Sequence, residues 1–578
     1  MVRRFNNCIR LRDLRELIDY AAEKYGVKPA FKEISPDRQI IEHNYIQLKF
    51  DTEALGTKLL ADGLDGKHFA LIGESTYNYV LSYLSVANGV GVIVPIDKEL
   101  TTDDMVRLIQ KSDTEIIFFS DCCAPFIADI LSQCPDILLA INIGQAKPNC
   151  SFLYLNTLVD AGKKLLQEGD TRFTGITLDV NKNCSILFTS GTTGVNKGVM
   201  LCQRNLATAA YSALSLFVVP NTSFSVLPIN HTYEFNIHVL GCILGGGTLC
   251  FNDSLKHVKD NLKLFKPNMS LMVPMIVEGL YKNIWKETAR VNLTAHLKYG
   301  IWFSNFLRKI GLDLRKTLFA PVMENLGGQL NFIVCGGAPL NPDLVKGFDD
   351  IGISVYNGYG ITECSPLISS NSPLSNVPGS VGVVVPGCVV RIGDIRADGR
   401  GEIQAKGDNV MLGYYKDEEA TRLSFTDDGW FKTGDIGYMD HKGNLYITGR
   451  AKNLIILSNG KNVHPEELEE YIVNMIPYVQ EVVVYAMLDE QGNESVITAE
   501  AYLDQQITNE VGWEKASEMF AEGIKKVNRH LAAYKRIAKT VIRETEFEKT
   551  TTKKIKRNVL AQNGSKTVAP NKEVVKDA

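Results

Sequence analysis

The chain is more informative at first for what it lacks. No run of 18 apolar residues occurs in its 578 positions, so nothing reads as a membrane-spanning helix. The opening MVRRFNNCIRLRDL has a basic flank but no apolar stretch of signal-peptide length. A cytoplasmic location is expected, with peripheral contact at the inner face of the membrane left open. Twelve cysteines include no C-x-x-C pair, which removes the usual zinc and disulfide frameworks. The adjacent Cys122 and Cys123 are poorly placed to bridge each other, and most of the thiols should be reduced core residues. Charge of one sign is missing too: 66 acids against 62 bases leave −4, which gives no case for nucleic acid as a partner. Neither phosphate fingerprint based on glycine spacing is present. Gly245 to Gly247 lacks the G-x-G-x-x-G spacing and reads as a turn, and no Gly-Lys-Ser/Thr triplet occurs in the Gly/Thr-rich stretch at residues 189–198.

What remains is a composition of 45% hydrophobic and 22% charged residues, that of a globular enzyme too long for one core, so a large and a small domain are expected. Ser185 to Met200, SILFTSGTTGVNKGVM, organises the rest. A buried strand through Phe188 leads into Thr189, Ser190, Gly191, Thr192, Thr193 and Gly194, then Lys197 and a second strand, with a helix from about Asn205. Glycines bring backbone N–H groups close to a polyphosphate, hydroxyls donate to it, and an ammonium neutralises it.

Around this hairpin the chain reads as α/β. A helix over Leu11–Tyr25, a strand over Lys67–Glu74, a helix over Tyr77–Asn88 and a strand over Val92–Asp97 give the rhythm of a parallel sheet. The turn Cys335–Leu340 follows the strand Phe332–Val334. Such strand ends are where open α/β sheets bind ligands. Tyr356–Glu363, YNGYGITE, combines an aromatic face, an amide, a hydroxyl and a carboxylate. Gly382–Tyr415 alternates short strands with turn glycines and suggests a small β-barrel or sheet, and Asp435 in WFKTGD is placed to accept from vicinal hydroxyls.

These segments, in content and in order, resemble the adenylate-forming superfamily of acyl-CoA synthetases, adenylation domains and luciferases, whose phosphate loop reads T-S-G-T-T-G-x-P-K-G. The form is closest to a bacterial long-chain fatty acyl-CoA synthetase. Asn196 stands where that pattern has proline. The resemblance implies a large domain over 1–451 made of parallel α/β subdomains plus the small β-barrel, a mobile α+β domain over 452–558, and a disordered tail over 559–578. It implies that Gly337, Ala338, Pro339, Asn357, Gly358, Tyr359 and Gly360 line adenine, that Thr362 donates to the α-phosphate, and that Glu363 holds magnesium. Asp435, Ile447 and Arg450 would hold the ribose, with Lys452 the hinge. Gly460 and Lys461 would meet the pantetheine arm of coenzyme A. His231, which by itself reads as an ordinary hydrogen-bonded histidine, becomes a candidate for the acyl or thiol channel.

Near the end, FEKTTTKKIKR aligns Lys554 with the catalytic adenylation lysine. Glu548 and Lys553 depart from the family's L-P-K-T-x-x-G-K-I-x-R, and Lys553 is the rival. The expected reaction is ATP-dependent activation of a carboxylic acid, a long-chain fatty acid by resemblance, to acyl-AMP and then acyl-CoA. An acyl-AMP or acyl-carrier-protein ligase stays open, as does an inactive nucleotide-binding regulator. Residues 293–319 mix aromatics with lysine and arginine, as does a helix at a membrane surface, a helix covering a greasy tunnel or a plain amphipathic helix on the core. Acyl chain length and oligomeric state are not readable from the residues.

Overall fold

The structure is a computed structural model that describes residues 5–145, 152–189, 196–396, 398–456, 462–488, 494–549, 555, 557 and 576–577. It divides into two compact units. One holds Met1–Thr189, Asn196–Val390 and Ala405–Phe431, and the other holds Arg391–Gln404 and the chain from Lys432 onward.

The first unit is built on two large sheets. One has eight strands, in the order Gly413–Tyr414, Lys197–Cys202, Asn183–Thr189, Val92–Ile96, His68–Ile72, Ile116–Phe119, Leu139–Asn142 and Leu153–Tyr154. The strands from Asn183–Thr189 through Leu153–Tyr154 run parallel, and the first two antiparallel to their neighbours. Ile116–Phe119, IIFF, is buried at every position, as a parallel strand covered on both faces must be.

The other sheet has nine strands, in the order Val383–Val384, Leu367–Ser370, Ser354–Gly360, Phe332–Cys335, Met269–Met272, Thr222–Ser225, Thr248–Phe251, Pro29–Ile34 and Ile40–Asn44. Its six central strands are parallel, with antiparallel strands at both edges.

Helices cover these sheets and start at short polar side chains that cap their first turn. Asp13 accepts from the Glu16 amide, Asn44 from Gln47 and Thr76 from Tyr79. The cap at Asp13 starts the first helix at Leu14, three residues after the apolar pattern begins. The expected helix Tyr77–Asn88 stops at Ser85, and a wider turn carries the chain over Val86–Val90. Helices Tyr45–Ala61 and Leu155–Gln167 cross so closely that a Cβ on Gly162 would stand 1.9 Å from the carbonyl oxygen of Ala54. No helix among the described residues is long and apolar enough to cross a membrane.

The second unit begins with an open four-stranded sheet, in the order Cys388–Gly393, Gly401–Gly407, Phe431–Met439 and Leu445–Arg450. Of the barrel or sheet expected over Gly382–Tyr415, the described strands form the sheet, and Gly413–Tyr414 pairs with Val199 and Met200 in the eight-stranded sheet. A second sheet pairs Val479–Leu488 antiparallel with Glu494–Leu503, which runs parallel to Lys539–Arg543. Helices Pro465–Met475 and Trp513–Asn528 cover it through Leu468, Ile472, Phe520 and Ile524. Helices Gln505–Val511 and Trp513–Asn528 are parted at Gly512, whose φ of 83° no helix accommodates.

Candidate functional site

In the first unit the chemistry-bearing segments sit at strand ends. Thr189 closes the strand Asn183–Thr189 and pairs across the hairpin with Lys197. Ser190, Gly191, Thr192, Thr193 and Gly194, between them, lie outside the described residues. The strands Thr222–Ser225, Met269–Met272, Phe332–Cys335 and Ser354–Gly360 are mutually parallel, so the segments that follow them emerge on one edge of the nine-stranded sheet.

Residues 336–340 and 357–363 are neighbours on that edge, with Cys335 in register with Asn357. Gly337 takes a φ of +88°, and Gly337, Ala338 and Pro339 are exposed. Asn357, Gly358 and Gly360 are half-buried, and Tyr359 is buried at 7% exposure. Gly360 admits no side chain, since a Cβ would stand 2.1 Å from the carbonyl oxygen of Pro366. Thr362 and Glu363 then form one turn of 3₁₀ helix with Cys364.

Glu363 joins this edge to the phosphate hairpin. Its Oε1 accepts from the hydroxyl of Tyr414 at 2.9 Å, and its carbonyl accepts from the amide of Met411 at 2.8 Å. Tyr414 pairs with Val199 on the second hairpin strand, and the Lys197 ammonium lies 4.6 Å from the centre of its ring. Burial, and then the Glu363 carboxylate, push the Tyr414 phenol well above its usual range, so it stays a donor. Sequence reasoning missed Tyr414. Its only local signal is the pair Gly413-Tyr414 between turn residues, and the strand pairing that gives it a role spans more than 200 residues.

His231 follows the strand Thr222–Ser225 on the same edge and is half-buried. It starts a wide helical turn, Tyr233–Val239, that ties the neighbouring segments together. The Tyr233 hydroxyl donates to the carbonyl of Val334 at 3.0 Å, one residue before Cys335, and Asn236 Nδ2 donates to the carbonyl of Ser365 at 3.1 Å, one residue after Cys364. The turn itself is anchored by a buried chain in which Ser223 Oγ lies 2.5 Å from His238 Nε2 and His238 Nδ1 lies 2.9 Å from Glu234 Oε1. These five polar residues were also missed, because an apolar-periodicity reading gives buried polar residues no weight.

In the second unit Asp435 and Arg450 are directly opposed on adjacent antiparallel strands, with Arg450 Nε 2.8 Å from Asp435 Oδ1. Asp435 is buried and Arg450 partly exposed. Ile447 sits three residues back on the same strand, opposite Gly437. Lys452 follows in a short 3₁₀ turn, its ammonium lowered to about 8 by partial burial and then by the Arg450 guanidinium. Gly460 and Lys461 lie outside the described residues, as do Lys553 and Lys554. Of the described residues on either side of Lys553 and Lys554, Phe547 donates its amide to Glu481 at 2.9 Å, Lys549 pairs with Ile555, and Arg557 forms an ion pair with Glu469.

Magnesium would be a hard cation seeking oxygen ligands, usually one or two carboxylates with the rest supplied by phosphate and water. Glu363 fits that demand, with one oxygen engaged by Tyr414. Among the described residues no group of three or more His, Cys, Asp or Glu side chains gathers to hold an ion by protein ligands alone.

Residues 18–415 match the pattern of the AMP-binding enzyme family, and residues 452–569 match the AMP-binding enzyme C-terminal domain. The chain belongs to the AMP-binding enzyme family. It is therefore an adenylate-forming enzyme, as the order of its motifs implied. Among the relatives of this AMP-binding enzyme is the peroxisomal long chain acyl-CoA synthetase 7 of Arabidopsis thaliana, 28% identical over 496 residues that cover 81% of this chain and 71% of the relative. Another is the long-chain-fatty-acid–CoA ligase FadD15 of Mycobacterium bovis, 29% identical over 438 residues covering 72% and 71%. A chloroplastic long-chain-fatty-acid–[acyl-carrier-protein] ligase AEE15 of Arabidopsis thaliana is 27% identical over 526 residues covering 78% and 71%. In fold, the chain is similar to ATP-bound MatB from Rhodopseudomonas palustris, with a TM-score of 0.74 at 24% identity, covering 95% of this chain and 98% of the other. It is also similar to O-succinylbenzoate coenzyme A synthetase from Bacillus subtilis in complex with AMP, with a TM-score of 0.69 at 20% identity, covering 94% and 97%.

Proposed function

We propose that this AMP-binding enzyme activates a long-chain fatty acid with ATP and transfers the acyl group to coenzyme A, releasing pyrophosphate and AMP. The observation that carries the reading is the link from Glu363 through Tyr414 to Lys197, which brings the acidic strand-end segment to the phosphate hairpin. The long chain and the thiol acceptor are supported by the relatives that are acyl-CoA synthetases and ligases.

A carboxylate resists attack because its leaving group would be an oxide, so it must first acquire a better one. Its oxygen attacks the α-phosphorus of ATP, an O–P bond forms, and the bond to the bridging oxygen breaks as pyrophosphate departs with the electron pair. Thr189 and Lys197 flank the polyphosphate, Thr362 donates to the α-phosphate, and Asp435 accepts from the ribose hydroxyls. Glu363 would hold magnesium, and the chemistry supplied there would be neutralisation of phosphate charge. Lys554 stabilises the charge that develops on the transferring group, the task that a preorganised cation performs best in a site closed to water. A thiolate then attacks the acyl carbon and AMP leaves with its bonding pair. Rotation at Lys452 carries the enzyme between half-reactions, Gly460 and Lys461 meet the coenzyme A arm, and His231 lines the acyl or thiol channel.

The test is pyrophosphate release with carboxylic acids of increasing length, with and without coenzyme A. Release that peaks with long chains, and acyl-CoA formed only when the thiol is added, is expected. The carrier-protein ligase among the relatives favours one other reading, in which acyl-AMP forms equally well but coenzyme A does not accept the acyl group. Silence with every acid would leave a nucleotide-binding protein without this chemistry.

A further inference from the structure

Between Val291 and Leu318 the chain carries five bases, Lys298, Arg308, Lys309, Arg315 and Lys316, against one acid, Asp313, although the whole protein has a net charge of −4. Helix Thr294–Lys309 within it rests on the first unit by one face. Leu297 and Ser304 are buried, Asn305 donates to Asp350 at 2.8 Å, and Arg308 donates to Asp349 at 2.9 Å. Arg315, beyond the helix, holds both Asp349 and Asp313, at 2.8 and 2.7 Å. The nearby acids are thus engaged by arginines, and the helix is fixed in place.

Its outward face is apolar. Tyr299, Trp302, Phe303 and Phe306 recur at i, i+3, i+4 and i+7 and share one side of the helix. Tyr299 is 65% exposed and Trp302 62%. Their rings form a ladder: Tyr299 stacks on Phe303 at 6.3 Å between centroids, and Trp302 stacks on Phe306 at 6.4 Å. Ile310 and Leu312 extend the exposed apolar surface past the helix end. Scattered exposed apolar residues need no explanation, but a contiguous aromatic face on an anchored helix marks something that covers it. At 3.6 residues per turn the exposed Lys298 and Lys309 fall within about 40° of Trp302, at the edge of this face.

We propose that this face docks on the surface of an anionic phospholipid bilayer, with the aromatic rings entering the headgroup region and Lys298 and Lys309 meeting headgroup phosphates. Charge decides the occupant. Arg308 and Arg315 are spent on Asp349 and Asp313, and Lys298, Lys309 and Lys316 are left with no ion pair among the described residues, a like charge that repels itself across a symmetric pair of identical faces and complements an anionic leaflet. Tyr and Trp rings, apolar in body and polar at one edge, suit the boundary between headgroups and acyl chains. The helix is 16 residues long, too short to span, and lies in the plane of the surface. The docking surface stands independently of the acyl transfer proposed above, although a bilayer is also where a long-chain fatty acid dissolves.

The test is co-sedimentation of the full-length protein with phosphatidylcholine vesicles, with or without about 30 mol% phosphatidylglycerol, at low salt and at about 0.5 M salt, where headgroup charge is screened. The wild type is expected to partition about tenfold more onto the anionic vesicles, and to lose most of that excess in high salt. Trp302→Glu with Phe306→Glu should remove binding to both vesicle types, and Lys298→Gln with Lys309→Gln should remove only the anionic preference. Pyrophosphate release with a water-soluble short-chain acid, or AMP binding if no acid is turned over, should be unchanged in both variants, showing that they fold. Equal sedimentation of the wild type and the Trp302/Phe306 variant overturns the proposal, as does no vesicle binding by the wild type. A wild-type dimer in light scattering that the Trp302/Phe306 variant converts to monomer also overturns it, in favour of a second copy on this face.

Discussion

The hydroxyl of Tyr414 donates to Oε1 of Glu363 at 2.9 Å. The same ring lies 4.6 Å from the Lys197 ammonium, so one side chain fixes an acid and a base taken from segments far apart in sequence. Tyr414→Phe keeps the ring and removes only the donor. A hydrogen bond to a charged group contributes about 1.5–3 kcal/mol, so acyl-adenylate formation should slow by about 10- to 100-fold if the bond matters chiefly in the transition state. Fatty-acid-dependent ATP–pyrophosphate exchange measures the loss, and AMP affinity, measured beside it, should change much less.

Lys554→Ala should lower pyrophosphate release by about 100- to 1,000-fold, the usual cost of removing one transition-state donor. Thioester formation from preformed acyl-adenylate should survive, because that half-reaction does not develop charge on the α-phosphate in the same way. Lys553→Ala should stay within about threefold of wild type if the lysine one residue later carries the charge. The reverse ranking would transfer the assignment to Lys553.

Lys452 has its ammonium lowered to about 8, so it is charged at pH 7 and largely neutral at pH 9. Two residues after Arg450, which is expected at the ribose, a charged Lys452 favours a bound anion, and AMP affinity is expected to weaken as pH rises through about 8. Lys452→Arg stays charged across this range and should flatten the profile in a calorimetric titration. The sign for folding runs the other way. The folded chain loses this proton at lower pH than an ordinary lysine near 10.5, so between those values the unfolded chain binds more protons and this group's contribution to stability rises with pH.

Gly162→Ala sets two effects of known size against each other. Alanine improves helix propensity by about 1 kcal/mol. A Cβ 1.9 Å from the carbonyl oxygen of Ala54 must push two backbones apart, and overpacking of this kind costs about 1–3 kcal/mol or more. Net destabilisation is expected, read as a lower midpoint in urea unfolding.

The sequence made legible whatever depends on neighbours along the chain. The strand before Thr189, the turn after Cys335 and the run Asn357–Glu363 all announce themselves by an apolar stretch followed by small or polar residues, and all lie at strand ends. The outward aromatic side of Thr294–Lys309 follows from helical spacing alone. Tyr414 did not announce itself, because its meaning depends on pairing with Val199. Nor did Ser223, Glu234 and His238, whose burial together overrides the usual preference of polar side chains for water. Whether Gly382–Tyr415 would form a barrel or a sheet stayed open for the same reason as Tyr414, since turn glycines show where strands end and not which strand each will join. Gly512 is visible as a glycine, but its residue type alone carries no mark of the left-handed backbone that parts the two helices there.

The pairing of Gly413–Tyr414 with Val199 and Met200 has a consequence for synthesis. A nascent chain that has not yet delivered residue 413 leaves the outer edge of Lys197–Cys202, with Val199 and Leu201 in it, unpartnered. Such an edge is a template for pairing with another chain. Truncations ending between the hairpin and residue 413 should therefore clump on expression, and a chaperone that recognises extended apolar backbone would have its longest opportunity during the roughly 10 to 40 seconds a ribosome needs to translate the intervening 200 or so codons.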